Sequence, residues 1–202
     1  MQKALEAARE SLVRVEHLGG LYSALQSLTT SAIDSSDLLR AQVVLAVSAL
    51  DFYIHELTVA GMIEVIKGHR PSTSAFEKYR VSVGAMLGGI QSTTFDWFEA
   101  DVRERHSFLS FQQPDKIADA VRLFSDIKLW EVVGSYIADK DVKERLRLIV
   151  DRRNKIAHEA DMSPSYPGQR WPITQSDVAD IRLFIGRVVE GIHHHVVLSV
   201  PR

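Results

Sequence analysis

An all-α fold, a single-domain helical bundle, is what this sequence predicts, and three observations predict it. Apolar residues recur at three-and-four spacing in segment after segment. No segment alternates apolar and polar residues for long enough to make a strand. One long stretch, 37–67, has a middle reading AQVVLAVSAL that is apolar nearly all round, the pattern of a helix at the centre of a fold.

Taken in order, residues 1–18 form an amphipathic helix (Leu5, Ala8, Leu12, Val15) that Gly19 and Gly20 should interrupt. A second piece carries Leu21, Ala24, Leu25 and Leu28. Ser35 or Ser36 is placed to cap the central helix. After the connector around Pro71, Ser72 or Ser74 can cap a short helix through Phe76, Tyr79 and Val83 that ends at Gly88 and Gly89. Residues 94–110 form another amphipathic helix, Pro114 opens the next, and a further one runs from Leu129 to Ile137. Two core helices follow, about 140–161 and 175–198, the second capped by Ser176 and separated from the first by SPSYPGQRWP, a loop by its prolines. With no repeat and no low-complexity linker, 1–202 is read as one domain with core helices at about 37–67, 140–161 and 175–198.

Composition narrows the function. The chain has 202 residues, 46% hydrophobic and 25% charged, in the range of a soluble globular protein. It has no cysteine, which excludes disulfides, thiol nucleophiles and cysteine-bound zinc. The N-terminus has no apolar signal core and no run of about 18 apolar residues is present, so a cytoplasmic protein with no membrane association is expected. A net charge of −2 argues against wrapping by a long duplex.

Chemistry concentrates in residues 146–161, LRLIVDRRNKIAHEAD. Leu146, Ile149, Val150, Ala157 and Ala160 form a core stripe, and Arg153 falls on it. An arginine there needs a partner, since it cannot shed its charge. Lys143, Arg145, Arg147, Arg152, Arg153 and Lys155 crowd this helix against Glu144 and Asp151, a patch that suits one phosphate or a few. Asn154 and His158 share a face one turn apart. On the central helix, Ser48, Asp51 and His55 make one polar line, and Asp51 is the expected counter-ion of Arg153. His193, His194 and His195 invite a metal reading, but consecutive helical residues point about 100° apart and cannot ligate one ion, so no metal is expected. No phosphate loop or nucleophile elbow is present.

The segment Arg153-Asn154-Lys155-Ile156-Ala157-His158 resembles the R-x4-H signature of HEPN domains, and the upstream 38–57, LLRAQVVLAVSALDFYIHEL, resembles their long central helix. The likeness is closest to the RiboL-PSP-HEPN branch and covers most of the chain. It implies a HEPN-type bundle with a long central helix and extra short helices. It further implies a metal-independent endoribonuclease without cofactor, its active site formed at a homodimer interface, often a toxin with an antitoxin or an antiphage effector. Carried over, Arg153 and His158 would be the catalytic pair, Asn154 a polar helper, and Asp51 the supporting acid. Arg152 and Lys155 are read as RNA-binding.

The residue types suit that chemistry. RNA brings its own nucleophile, the 2′-hydroxyl, so cleavage needs proton transfer and charge stabilisation only. Histidine serves the first near neutral pH and the arginine fork the second. Residues five apart lie roughly 140° around a helix, so the pair converges only if Arg153 reaches round, the helix distorts, or a second subunit completes the site. A non-catalytic helical module that dimerises or partners an antitoxin or nucleotidyltransferase would use the same residues structurally, and a nucleotide-binding regulator would also fit the basic patch.

Overall fold

The computed structural model describes residues 1–30 and 33–198, and the described residues form nine helices and no strand. The centre is α2 (Ser36–Ile66), as its sequence requires: Val43, Ala46, Val47, Leu50, Tyr53, Ile54 and Leu57 are all buried. By length and composition α2 could cross a membrane, contrary to the reading of the sequence, but 56% of its apolar window is buried inside the fold. Around it pack α1 (Gln2–Leu28) and α9 (Gln175–Leu198), whose inward residues join those of α2 in one core. Gly61 of α2 is obligatory there, because a Cβ would lie 2.3 Å from the Phe124 ring.

The first helix does not break at Gly19 and Gly20; α1 runs through both to Leu28. Each mid-helix glycine costs about 1 kcal/mol, which packing along α2 overrides. At Gly19 the absence of a side chain is used, since a Cβ would sit 3.1 Å from Gln42 Oε1.

The middle of the chain is split into short helices. In place of one helix through Val83 there are two, α3 (Ser74–Glu77) and α4 (Val83–Ile90). Thr73 caps the first, neither Ser72 nor Ser74, and Ser82 caps the second through a bond from the Ala85 amide. Then come α5 (Asp96–His106), α6 (Pro114–Arg122, with proline in its first turn) and α7 (Leu129–Ile137), all within the expected segments. The helix carrying the motif, α8, spans Val142–His158 and so ends three residues early. The last helix is capped by Thr174, not Ser176: Thr174 and Asp177 bond reciprocally through side chain and backbone, a capping box.

The three consecutive histidines diverge as helix geometry demands. His193 is buried with its ring 6.3 Å from Tyr53, while His194 and His195 pack on Tyr136.

His106, at the end of α5, is buried against Tyr79 and Phe111. Burial, with a smaller contribution from His55, lowers its pKa from 6.5 to about 4. The folded state therefore excludes a proton that the unfolded chain binds below pH 6.5. This contribution to stability is full above pH 6.5 and is lost as pH falls towards 4. The loss is on the order of 3 kcal/mol. Urea unfolding near neutral pH and near pH 4.5 should show a shallower pH dependence in His106→Phe than in wild type; identical dependence would contradict the assignment.

Candidate functional site: the C-terminal end of α8

Leu146, Ile149 and Val150 are buried as the periodicity predicts, but Ala157 and Ala160 are exposed. The core stripe stops because the helix does. After His158 the chain reverses through Ala160 (φ 49°) and Asp161 (φ 58°), both in the left-handed region, and the Lys155 carbonyl accepts from the amides of Glu159 (2.9 Å) and Asp161 (3.0 Å). A short hairpin-like loop follows, closed by the antiparallel bridge Met162–Arg170 and by Ser163 N to Gln169 O at 2.8 Å.

What holds this end in place is a buried ion triad that the sequence reading missed. Asp161 is fully buried, and its Oδ2 accepts from Arg40 Nε and from Arg152 Nη2, each at 2.8 Å. Arg40, itself buried on α2, also donates to Ser36 Oγ (2.6 Å) and to the Trp171 carbonyl (2.9 Å). Arg152 adds bonds to the carbonyls of Trp171 (3.3 Å) and Pro172 (3.2 Å). One carboxylate thus joins α8, the loop behind it and the first turns of α2. Burial lowers the pKa of Arg152 from its ordinary value, Asp161 opposing and Arg40 reinforcing the effect. The signal was present: Arg40 lies between Leu39 and Val43 on the most apolar helix, where a guanidinium demands a partner.

Arg152, expected to bind RNA, is therefore committed to Asp161. The wider basic patch is neutralised too. Lys143 pairs with Asp115, Arg145 with Asp139, and Arg147 with both Glu144 and Asp151. Lys155 lies 5.7 Å from the centre of the Trp171 ring, and neither it nor Arg153 has a carboxylate partner among the described residues.

Arg153 does not pair with Asp51. The Arg40 contact sets the end of α8 against the start of α2, and Asp51 lies about 16 Å further along that helix. Asp51 instead accepts from the Phe111 amide (2.6 Å) and Gln112 Nε2 (2.9 Å), with His55 Nε2 at 3.7 Å, and so fixes the loop between α5 and α6. Arg153 is half-buried; its Nη1 donates to Asn154 Oδ1 at 3.1 Å, and its buried Nε has no partner among the described residues. His158, the last residue of α8, is exposed. The helix stays regular through the motif, so Arg153 and His158 keep their offset of roughly 140°.

This arrangement is a cation held without a counter-ion beside an amide, with an imidazole open to solvent one turn on. Residues 9–197 match a family model described as RiboL-PSP-HEPN.

The chain belongs to the RiboL-PSP-HEPN family.

Comparison with curated proteins and with solved structures gave no match. Membership places this HEPN domain among proteins that are often ribonucleases, or are otherwise RNA-related or interaction modules.

The reassignment of Asp51 is measurable in a double-mutant cycle. Asp51→Ala and Gln112→Ala should couple, because each removes the bond the other makes and the first leaves the buried Gln112 amide without its carboxylate, whereas Asp51→Ala and Arg153→Ala should add within about 0.5 kcal/mol. Strong coupling between Asp51 and Arg153 in urea unfolding would restore the ion pair expected from sequence.

Proposed function

We propose that this HEPN protein is a metal-independent endoribonuclease that cleaves RNA by attack of the 2′-hydroxyl on the adjacent phosphorus. The observation that carries the reading is Arg153: half-buried, without a carboxylate partner among the described residues, and five residues before an exposed histidine. A guanidinium kept from its own protein's acids is available to an anionic substrate, and its fork of donors matches phosphate oxygens.

In the proposed reaction the O2′–P bond forms as the P–O5′ bond breaks. His158 takes the proton of the 2′-hydroxyl and returns a proton to the departing O5′, and Arg153 stabilises charge on the non-bridging oxygens. Asn154 steadies the guanidinium through the bond it already makes. Lys155, without a carboxylate partner among the described residues, supplies a phosphate contact. The products are a 2′,3′-cyclic phosphate and a 5′-hydroxyl. No cofactor is required by this chemistry.

Arg153 and His158 leave a regular helix roughly 140° apart, although the Arg153 guanidinium bonds Asn154 on the His158 face, and the reading takes a homodimer in which the second copy completes the site. Leu45 and Phe52 on one face of α2 are exposed, and the Asp51–Phe111 bond ties the loop carrying exposed Phe108 and Leu109 beside them. That apolar surface supports self-association. A toxin or antiphage effector in the cytoplasm, with an antitoxin as a further partner, is the setting this activity implies.

Incubation with total cellular RNA in EDTA tests the proposal. Wild type should release cyclic-phosphate ends, and Arg153→Ala and His158→Ala should each lose at least about 100-fold while far-UV circular dichroism is unchanged. Cleavage retained in both variants removes the proposal; intact RNA with wild type favours the interaction module.

A further inference from the structure

We infer that Asp161, clamped between Arg40 and Arg152, is a positioning residue of the active site, although it lies outside the R-x4-H motif. The inference rests on the nuclease reading above for its functional consequence, not for its geometry.

The end of α8 has little else to hold it. Val150 is the last fully buried side chain of the helix, Ile156 is half-buried against Leu39, Val43 and Val178, and Ala157, His158 and Ala160 are exposed. A helix terminus with so little burial frays. Asp161 counters this in two ways. Its amide donates to the Lys155 carbonyl, tying the reversed chain to the last turn, and its carboxylate grips Arg152 inside that helix and Arg40 on α2. Its carbonyl accepts from the Trp171 amide at 2.9 Å, so the following loop is fixed to the same point.

Arg152 is the chain neighbour of Arg153. Anchoring its side chain on one flank of α8 orients the backbone from which Arg153 projects, while the turn through Asp161 limits where His158 can go. The carboxylate also sorts the charges. Two arginines are consumed by Asp161, and Arg153 is left for substrate. Asparagine at 161 would keep the volume but withdraw the charge, leaving two guanidinium groups around a neutral amide and loosening the helix end.

The experiment compares wild type, Asp161→Asn and Arg40→Lys. Arg40→Lys keeps the charge near Asp161 but cannot reach Ser36 and the Trp171 carbonyl together. One readout is kcat and KM on a fluorescent oligoribonucleotide spanning a site that wild type cuts in cellular RNA. The other is NMR: the His158 ring signal, assigned by its loss in His158→Ala, and the Arg153 Nε–H signal.

Expected for Asp161→Asn is a fall in kcat of at least about tenfold with KM within about threefold, and broadened or shifted Arg153 and His158 signals while core methyl signals stay put. Arg40→Lys should move both readouts the same way by less. Wild-type kcat and unchanged signals in Asp161→Asn overturn the inference, as does a loss of rate that only tracks the unfolded fraction. If Asp161→Asn does not fold, Arg40→Lys decides by the same criteria. If wild type cuts no RNA, the nuclease reading fails, and the NMR comparison alone decides whether Asp161 positions the motif.

Discussion

The shared carboxylate of Asp161 is the contact on which the motif-bearing end of this molecule depends. Two arginines from separate helices meet one oxygen of a fully buried acid, and the same two guanidinium groups donate to the Trp171 carbonyl of the loop behind the motif helix. Measured against an apolar replacement, such a buried ionic cluster adds little net stability, because desolvating three charges offsets most of their attraction. Removing one member is costly. The cluster therefore matters for geometry: it allows only one arrangement of α8, the reversed chain and α2, at the end where the core no longer constrains the chain.

Much of the fold was legible because its signals are local. The apolar run of α2, the proline opening α6 and the three-and-four stripes of α7 and α9 each fix an element within a few residues. The departures have different causes. Gly19 and Gly20 carry a local penalty that packing on α2 exceeds, so a break expected from propensity is absent. At the start of α9 the sequence offers Ser176 as a cap, but Thr174 and Asp177 form the reciprocal pair.

The site was half legible. Arg153, Asn154 and His158 all lie in the last turns of α8, with Arg153 bonded to Asn154 and His158 offset from Arg153 by roughly 140°. The support around them was not legible, since Arg40 and Asp161 are 121 residues apart in sequence and nothing local links them. Asp51 was a reasonable counter-ion by type and by helix, but the backbone amide of Phe111 and the amide of Gln112 compete for it, and they are nearer. The basic patch differs for the same reason: the sequence shows charge along the helix, while carboxylates from other turns and other elements neutralise most of it. What survives that cancellation is a smaller and more specific feature, an unclaimed arginine beside an open histidine.

The two side chains leave a regular helix roughly 140° apart, and the proposed nuclease site is one shared between subunits. The direct measurement is complementation. Arg153→Ala and His158→Ala chains, differently tagged, are co-expressed, and the mixed dimer is isolated and assayed on RNA in EDTA beside each homodimer. A shared site predicts inactive homodimers and a mixed dimer with up to about half of wild-type activity, because one of its two sites then has both residues intact. A mixed dimer as inactive as its parents would contradict the account.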